Sequence, residues 1–328
     1  MNISTPHGET HAVSGQTVAV VVTYNPSLDG LERLFAAVSS QVDRIFVVDN
    51  GSRDAASVRR LVNEVPDAFF TGLSDNFGIA FAQNVGIRMA YAYGASFVLT
   101  LDQDSVPGPD MVRTLMAVFE TEGERAPIAA VGPLLRDEGT QLPLPFFTYE
   151  GGRKQRITPT VGAGVLEVAF LVSSGTLLAM AALEEVGLMR EELFISYVDV
   201  EWCLRARARN YRILACCSVV MDHNLGERRL RIGRWVLPLH SPIRHFYLLR
   251  SGVYMQKLTY TGKPWRSADR RQLIRSFVLF SIAGLPRLQE FASMCRGLAA
   301  GLRMRVGAVP TLTATETDGL LSTQTIDL

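Results

Sequence analysis

Two aspartates one residue apart, Asp102 and Asp104, follow an apolar, β-rich run at residues 97–101. Such a run is typical of a buried parallel strand, and two carboxylates at a strand end can share a divalent cation through hard oxygen ligands. In open α/β sheets the ligand crevice lies outside the carboxyl ends of the strands, where this pair is expected. The alternative is that both aspartates form a turn or cap the helix that follows Pro107.

A third acidic residue, Asp49, ends the apolar run at residues 45–48 in the same way. A carboxylate at this place could accept a hydrogen bond from the N3–H of uracil or thymine, a donor that cytosine lacks. It could therefore distinguish uridine and thymidine nucleotides from cytidine nucleotides. The alternative is turn chemistry within residues 49–52, and the two interpretations are compatible.

The stretch at residues 193–215 holds further candidates. Asp199 and Glu201 stand at the start of a predicted helix. An aspartate at a helix start is most often an N-cap, but it could also act as a general base. His223 follows an apolar run, where it either has a structural role or completes a metal site begun by carboxylates. The arginines of this helix are expected on its wetter side: Arg205, Arg207 and Arg209.

The elements that would position these residues alternate between strands and helices. Apolar runs predict strands, and apolar residues three and four apart predict the helices between them. The predicted strands cover residues 18–22, 45–48, 68–71, 97–101, 128–131, 165–172, 211–215 and 218–221, with a loop or irregular hairpin at 136–160. This alternation indicates an α/β fold with a mostly parallel sheet. The sequence lacks the glycine-rich dinucleotide and P-loop motifs, so a phosphate-bearing ligand would depend on a metal.

The composition limits the class of protein. The 328-residue chain is 48% hydrophobic, enough for one large core and an appendage. Its formal net charge of +1 gives no electrostatic case for nucleic acid binding. The 4 cysteines lack C-x-x-C spacing, which favours a reduced, cytoplasmic environment without structural zinc. No signal peptide is recognisable, and no apolar run reaches the ~20 residues that a membrane span needs.

Seven stretches occur in the order typical of one enzyme family: VVVTYNP, VVDNGS, SDNFGIAFAQNVGI, LTLDQDS, SSGTLLAM, ISYVDVEWCLRARARNY and DHNLGE. Together they resemble the inverting nucleotide-sugar glycosyltransferases of family two, over residues 18–226. The variants DQDS, LFISYVDVEWCLRAR and SPIRHFYLLRSG resemble the bacterial branch that transfers L-rhamnose from dTDP-L-rhamnose to lipid-linked surface polysaccharide. The resemblance implies a GT-A fold, a Rossmann-like, mixed and mostly parallel sheet, with a C-terminal helical extension.

The resemblance also implies a role for each matching residue. Asp199 would be the catalytic base, Asp104 a ligand of Mg²⁺ or Mn²⁺ on the diphosphate, and His223 the last metal ligand. Asp102 would contact ribose or metal. The residues implied to bind substrate are Thr23, Asn25, Asp49, Asn76, Asn84, Asp102, Gln103 and Trp202. Val198 departs from the general family pattern, in which Glu often precedes the base, although it matches the rhamnosyltransferase branch.

Two other functions stay open. The same fold could use another UDP- or dTDP-sugar, because uracil and thymine present the same edge to Asp49. The chain could also be a non-catalytic, sugar-nucleotide-binding partner in a polysaccharide assembly complex. The presence of Asp102, Asp104 and Asp199 together counts against this second alternative.

The predicted organisation is a disordered tail at residues 1–16, a GT-A catalytic domain at 17–226, a helical region at 227–310 and a disordered tail at 311–328. Residues 271–304 mix apolar residues with arginines and predict amphipathic helices broken at Pro286. These helices either pack as core or homo-oligomer interface, or lie on the inner face of the plasma membrane beside a lipid-linked acceptor. The basic run at 228–234 is either solvated or contacts phosphate.

Overall fold

A computed structural model describes residues 15–150, 153–223, 229–232, 235–238, 241–283 and 286–312. The two predicted disordered tails and the predicted domain boundary at residue 226 fall almost wholly outside these ranges. The strands are β1 (Thr17–Thr23), β2 (Arg44–Asp49), β3 (Ala68–Gly72), β4 (Phe97–Asp102), β5 (Ile128–Asp137), β6 (Phe146–Glu150), β7 (Arg153–Ile157), β8 (Val165–Glu167), β9 (Thr176–Ala179), β10 (Arg212–His223), β11 (Arg229–Ile232) and β12 (Trp235–Pro238). The α-helices are α1 (Leu28–Val38), α2 (Ala55–Asn63), α3 (Ile79–Tyr93), α4 (Met111–Glu122), α5 (Met180–Val186), α6 (Val198–Arg207), α7 (Pro242–Met255), α8 (Lys263–Ala283) and α9 (Arg287–Arg303).

The described residues form a mixed, mostly parallel sheet, as the sequence predicts. Its strand order is β3-β2-β1-β4-β9-β5-β10-β8. The pairs β2–β3, β1–β2, β1–β4 and β5–β10 are parallel, whereas β9 runs antiparallel to both β4 and β5. The carboxyl ends of β1, β2 and β4 therefore meet at one edge of the sheet, which brings their following loops together.

Both faces of the sheet are covered, because alternate residues of a strand point to opposite sides. Val18 and Val20 of β1 belong to a core with α3, α5 and α6, while Ala19 and Val21 face a second core with α1, α2 and α4. Gly86 of α3 is required by this packing, since a Cβ there would lie 2.3 Å from Val20 Cγ1. The fully apolar β1 run is thus explained by burial on two sides.

Three strand predictions are wrong in extent. The strand expected over residues 128–131 continues to Asp137, because its second half pairs with the end of β10. The strand expected over residues 165–172 ends at Glu167, because beyond it the chain makes single backbone bonds to different strands instead of a ladder. The two strands expected at 211–215 and 218–221 are one strand, β10, with a register shift between Cys216 and Val220. The irregular hairpin expected within 136–160 is confirmed as the antiparallel pair β6–β7.

Arg205 of α6 is also misplaced by the sequence prediction, since it is buried. Its guanidinium donates to both carboxylate oxygens of Glu201, one turn earlier, at 2.8 and 3.0 Å, and to two backbone carbonyls. Glu201 is itself fully buried and lies 3.4 Å from Arg190. Tyr260 donates a further hydrogen bond to Glu201. The negative charge of Glu201 offsets the free-energy cost of burying the Arg205 guanidinium.

The C-terminal helices α7, α8 and α9 pack around Leu249, Leu273, Phe280 and Met294. The predicted break near Pro286 is confirmed, because α9 begins directly after it. Helices α7 and α9 approach closely, since a Cβ on Gly297 would lie 2.4 Å from the carbonyl oxygen of Phe246. None of the helices in the part of the chain described by the structure is both long and apolar enough to cross a bilayer.

Candidate active site

Three carboxylates lie in one electrostatic environment beyond the carboxyl end of β4. The pKa of Asp102 is raised to about 7, chiefly by burial and then by the negative charges of Asp104 and Asp199. The cationic Arg244, in the first turn of α7, and a hydrogen bond with Ser174 act in the opposite direction. Neither Asp102 nor Asp104 caps α4, which begins only at Met111. The edge therefore concentrates negative charge, with Arg244 as a nearby cation in the described part of the chain.

Asp199 lies in the first turn of α6, but it is not the N-cap. Tyr197 occupies that position with a φ of 71° and makes no capping bond through its side chain. Asp199 Oδ1 accepts from the Val200 N–H at 2.8 Å, and Oδ2 accepts from the Ser173 N–H at 3.3 Å. Burial raises the pKa of Asp199, and these backbone N–H groups partly oppose the shift. A carboxylate with a raised pKa is a stronger base.

The loop at residues 173–175 links the two acidic positions. Thr100 of β4 holds it by donating to the carbonyls of Ser173 and Thr176, while its own carbonyl accepts from the Gly175 N–H at 2.8 Å. Gly175 has a φ of 78°, which favours glycine. From this loop Ser174 contacts Asp102, and the Ser173 N–H contacts Asp199. The sequence analysis assigned no role to these serines.

Asp104 and His223 are brought near each other by the end of β10. An antiparallel bridge joins Val106 to Asp222 and sets His223 beside the loop that follows β4. Burial lowers the pKa of His223, although the carboxylates of Asp104 and Asp137 oppose this shift. The imidazole is thus neutral at neutral pH, the form that binds metals. Among the residues that the structure describes, no three His, Cys, Asp or Glu side chains form a complete metal site.

Asp49 organises the loops after β1 and β2. It is fully buried, and its Oδ2 accepts from the hydroxyls of Thr23 at 2.8 Å and Ser52 at 2.6 Å. Its Oδ1 accepts from the Ser52 N–H at 2.9 Å. Asn25, with a φ of 48°, joins the same two loops by accepting from the Arg53 N–H at 3.0 Å. The turn interpretation of residues 49–52 therefore holds in this structure.

The loop at residues 75–78, which follows β3, is held by hydrogen bonds of the Asn50 and Asn76 side chains. Asn50 donates to Asn76 Oδ1 at 3.0 Å and accepts from the Phe77 N–H at 3.0 Å. Asn76 Oδ1 also accepts from the Gly78 N–H at 3.0 Å, directly before α3. These bonds place the loop at 75–78 beside the ends of β1 and β2. Asn50 itself is a site residue that the sequence analysis treated only as part of a turn.

The segment that precedes α6, residues 187–197, is held from two sides. On one side the buried Asn84 of α3 makes hydrogen bonds of 2.9 Å to both the N–H and the carbonyl of Met189, and the Phe194 carbonyl accepts from the Ile79 N–H at 2.7 Å. On the other side Arg250 and Ser251 of α7 donate to carbonyls of this segment. Asn84 thus positions the helix that carries Asp199. Both polar atoms of its side-chain amide are bonded to the Met189 backbone.

The side chains of Gln103 and Trp202 make their hydrogen bonds to backbone groups and not to the carboxylates of the acidic edge. Gln103 Oε1 accepts from the Tyr24 N–H at 2.7 Å and so connects the loops after β1 and β4. Trp202 is buried in the core, and its indole N–H donates to the Gly187 carbonyl at 2.8 Å. Arg244, by contrast, lies close enough to influence the pKa of Asp102. Its stretch, SPIRHFYLLRSG, is part of the family resemblance, but no role was expected for Arg244 itself.

This sheet, with carboxylates gathered at the ends of its strands, matches a known family of enzymes. The family model described as Glycosyl transferase family 2 matches residues 18–161. The chain belongs to this family and is a glycosyltransferase. The dTDP-rhamnosyl transferase RfbF of Shigella flexneri is 35% identical to it over 240 residues, which are 72% of this chain and 78% of that relative. The predicted resemblance to the rhamnosyltransferase branch is thereby confirmed.

Two solved structures share the fold. S. aureus TarS 1-349 in complex with UDP-GlcNAc superposes with a TM-score of 0.57 and 16% identity, over 93% of this chain and 83% of TarS. GalNAc-T7 with UDP, GalNAc and Mn²⁺ gives a TM-score of 0.52 and 12% identity. That match covers 83% of this chain but only 58% of the GalNAc-T7 chain. These similarities confirm the predicted GT-A fold class and show the fold alone.

Proposed function

We propose that this glycosyltransferase moves L-rhamnose from dTDP-L-rhamnose to a hydroxyl of a lipid-linked surface glycan, with inversion at the anomeric carbon. The observation that carries the proposal is the position of Asp199, a half-buried carboxylate with a raised pKa, in the same environment as Asp102 and Asp104. The donor is inferred from the similarity to the dTDP-rhamnosyl transferase RfbF.

The reaction is a single displacement. Asp199 accepts the proton of the acceptor hydroxyl, and the acceptor oxygen forms a bond to the anomeric carbon. The bond between that carbon and the diphosphate oxygen breaks at the same time, and dTDP leaves with the electron pair. A β-linked donor therefore gives an α-linked product. Among the described residues, Arg244, which already acts on Asp102, is the cation placed to stabilise the charge developing on the diphosphate.

The acidic edge fits a divalent cation. Burial, and after it the negative charges of Asp104 and Asp199, raise the pKa of Asp102. Asp104 is exposed, and His223 is neutral. Such a donor set suits Mg²⁺ or Mn²⁺, which take their remaining ligands from phosphate oxygens and water. When bound, the cation would stabilise negative charge on the diphosphate. Asp104 and His223 would hold it.

Asp49 is proposed to read the base. Its Oδ1 accepts only the Ser52 N–H in this structure, so one lone pair is left for the N3–H of thymine or uracil. Because the carboxylate is fully buried, the loop at residues 50–53 must move when the nucleotide binds. Thymine and uracil offer this same donor, so a UDP-sugar is the alternative donor for the same site.

Two measurements test the proposal. Isothermal titration with dTDP, UDP and CDP, each with Mn²⁺ and with EDTA, should show metal-dependent binding that favours dTDP. A preference for UDP would exclude the rhamnosyl donor but retain the enzyme class. Absence of binding to all three nucleotides would contradict both the rhamnosyl-transfer proposal and the alternative of a non-catalytic, sugar-nucleotide-binding partner.

The second measurement concerns the proton. Asp199→Asn should lower turnover by roughly 10²–10⁴-fold while dTDP binding is retained, because a general base contributes about that much. Asp110→Asn, which changes an exposed aspartate paired with Arg113, is the matched control and should keep full activity. Retained turnover in Asp199→Asn, or loss of its dTDP binding, would contradict the assigned role.

A further inference from the structure

Helix α8 is apolar on two faces, and only one of them is packed. Its inner face places Leu273 and Phe280 in the core between the C-terminal helices. Its outer face carries Ile274, Val278 and Ile282, each about one helical turn from the next, with 59%, 52% and 65% of their surface exposed. The packing of the C-terminal helices thus leaves this second apolar stripe without a partner among the described residues.

The start of α9 extends this outer face. Leu288 is 85% exposed and Phe291 is 47% exposed, and the Phe291 ring lies 5.8 Å from that of Phe277 on α8. Together the exposed residues Ile274, Val278, Ile282, Leu288 and Phe291 form what we call the α8–α9 patch. Contiguous exposed apolar surface of this kind marks an interaction site.

The charges around the α8–α9 patch identify its partner. The exposed charged side chains that accompany it are basic: Arg270, Arg271, Arg275 and Arg287. The two acidic residues of these helices are turned inward. Asp269 accepts hydrogen bonds from Tyr197 and Gln256, and Glu290 is buried against His245. Within the described residues of these two helices, the patch thus combines apolar residues with positive charge that no exposed carboxylate accompanies, although the whole chain has a net charge of only +1.

A second copy of the chain is a poor partner for this surface. A twofold interface would set the same arginines against each other, and like charges in contact are costly. An anionic bilayer surface instead takes apolar side chains at the acyl boundary and pairs arginines with its head groups. We propose that the α8–α9 patch docks the enzyme on an anionic lipid surface.

Docking there would bring the active site to the acceptor. Phe280, on the inner face of α8, stacks on His245 of α7 at a ring distance of 4.1 Å. The preceding residue, Arg244, acts on Asp102, and Ile243 beside it is 57% exposed. The C-terminal end of α8 and the acidic edge therefore lie at the same end of α7. This inference rests on the lipid-linked acceptor of the proposed function.

The test is co-sedimentation of the full-length protein with vesicles of phosphatidylcholine, with and without phosphatidylglycerol. The wild type should pellet with the anionic vesicles and stay in solution with the neutral ones. The triple variant Ile274→Ser, Val278→Ser, Ile282→Ser should bind at least tenfold less. Leu142→Ser with Val161→Ser, which changes apolar residues 64% exposed elsewhere, is the matched control and should bind like the wild type.

A second pair of variants tests the charges and does not depend on apolar contacts. Arg271→Gln with Arg275→Gln should weaken binding to anionic vesicles roughly tenfold. Arg113→Gln on α4 with Arg125→Gln in the turn that follows it should not, although these side chains are 79% and 75% exposed. Equal pelleting of the apolar triple variant and the wild type would overturn the proposal, as would wild-type binding that ignores lipid charge.

Analytical ultracentrifugation separates the remaining alternative. If the wild type is a dimer and the triple variant a monomer, the patch is an interface between copies and the lipid proposal fails. Titration with dTDP in the absence of vesicles tests the catalytic site separately. If the triple variant loses lipid binding but still binds dTDP, the substitutions affect the patch and not the catalytic site. If the wild type does not bind dTDP, the proposed function fails, whatever the result with vesicles.

Discussion

Replacing Glu201 with glutamine should lower the free energy of unfolding by about 3–5 kcal/mol, because it leaves buried cations without their counter-charge. Glu201 is fully buried, and its carboxylate accepts two hydrogen bonds from the Arg205 guanidinium at 2.8 and 3.0 Å. The guanidinium of Arg190 lies 3.4 Å from the same carboxylate. Glutamine keeps the shape and one acceptor oxygen but removes the negative charge. Since folded proteins are stable by only about 5–15 kcal/mol, the loss should be severe.

Urea unfolding followed by tryptophan fluorescence measures this effect. Trp202, the residue after Glu201, is buried in the folded protein and becomes exposed to water when the chain unfolds. With a slope of about 3 kcal/mol/M, the midpoint should fall by at least about 1 M urea. Glu184→Gln, an exposed glutamate on the neighbouring helix α5, is the control and should change stability by less than about 0.5 kcal/mol.

The double variant Glu201→Gln, Arg205→Gln refines the argument. If the cost comes from an unpaired Arg205, removing that cation as well should recover part of the loss. A Glu201→Gln variant that loses less than about 1 kcal/mol would refute the reasoning. So would a double variant whose loss equals the sum of the two single losses.

Three further predictions concern other parts of the molecule. Gly297→Ala should destabilise the protein by about 1–3 kcal/mol in thermal unfolding, because the new methyl would meet the Phe246 carbonyl. Burial raises the pKa of Asp269 to about 6, so the folded state holds a proton between about pH 4 and 6 that the unfolded state has released. Stability relative to Asp269→Asn should therefore fall by up to about 3 kcal/mol as pH rises through this window, and stay level above it. Asp222→Asn should cost less than about 1 kcal/mol in urea unfolding, because its pair with Arg136 is exposed.

Each of these predictions has its own check. Ala299→Gly on the same helix should act only through helix propensity, by about 1 kcal/mol, and equal losses at residues 297 and 299 would argue against the close contact. A stability difference between wild type and Asp269→Asn that does not change with pH would contradict the assigned pKa. A large loss in Asp222→Asn would mean that the bridge to Val106 depends on the ion pair.

Much of the sheet could be predicted because β1, β2 and β4 are buried on both faces, and such strands require continuous apolar runs in the sequence. The same signal misled at residues 168–172, where Val168, Ala169 and Leu171 are buried without forming a ladder. Apolar residues report burial, and buried coil and buried strand share that requirement.

The site was partly predictable for a related reason. Carboxylates at strand ends, such as Asp102 and Asp104, follow from local sequence alone. Ser174 and Arg244 could not be assigned, because their positions beside Asp102 depend on contacts between segments far apart in the chain. Arg205 was placed on the wrong side because its burial depends on Glu201, and a charge pattern does not reveal which pairs are desolvated.

The segment at residues 187–197 bears on how this enzyme could be rebuilt. It is fastened to α3 through Asn84 and to α7 through Arg250 and Ser251, and it leads directly into the helix that carries Asp199. A chimera that exchanged everything after residue 240 would therefore alter the support of the proposed base as well as the surface offered to lipid. Acceptor preference and catalytic rate should consequently be inherited together, and transplants of the C-terminal helices should succeed only when this segment travels with them.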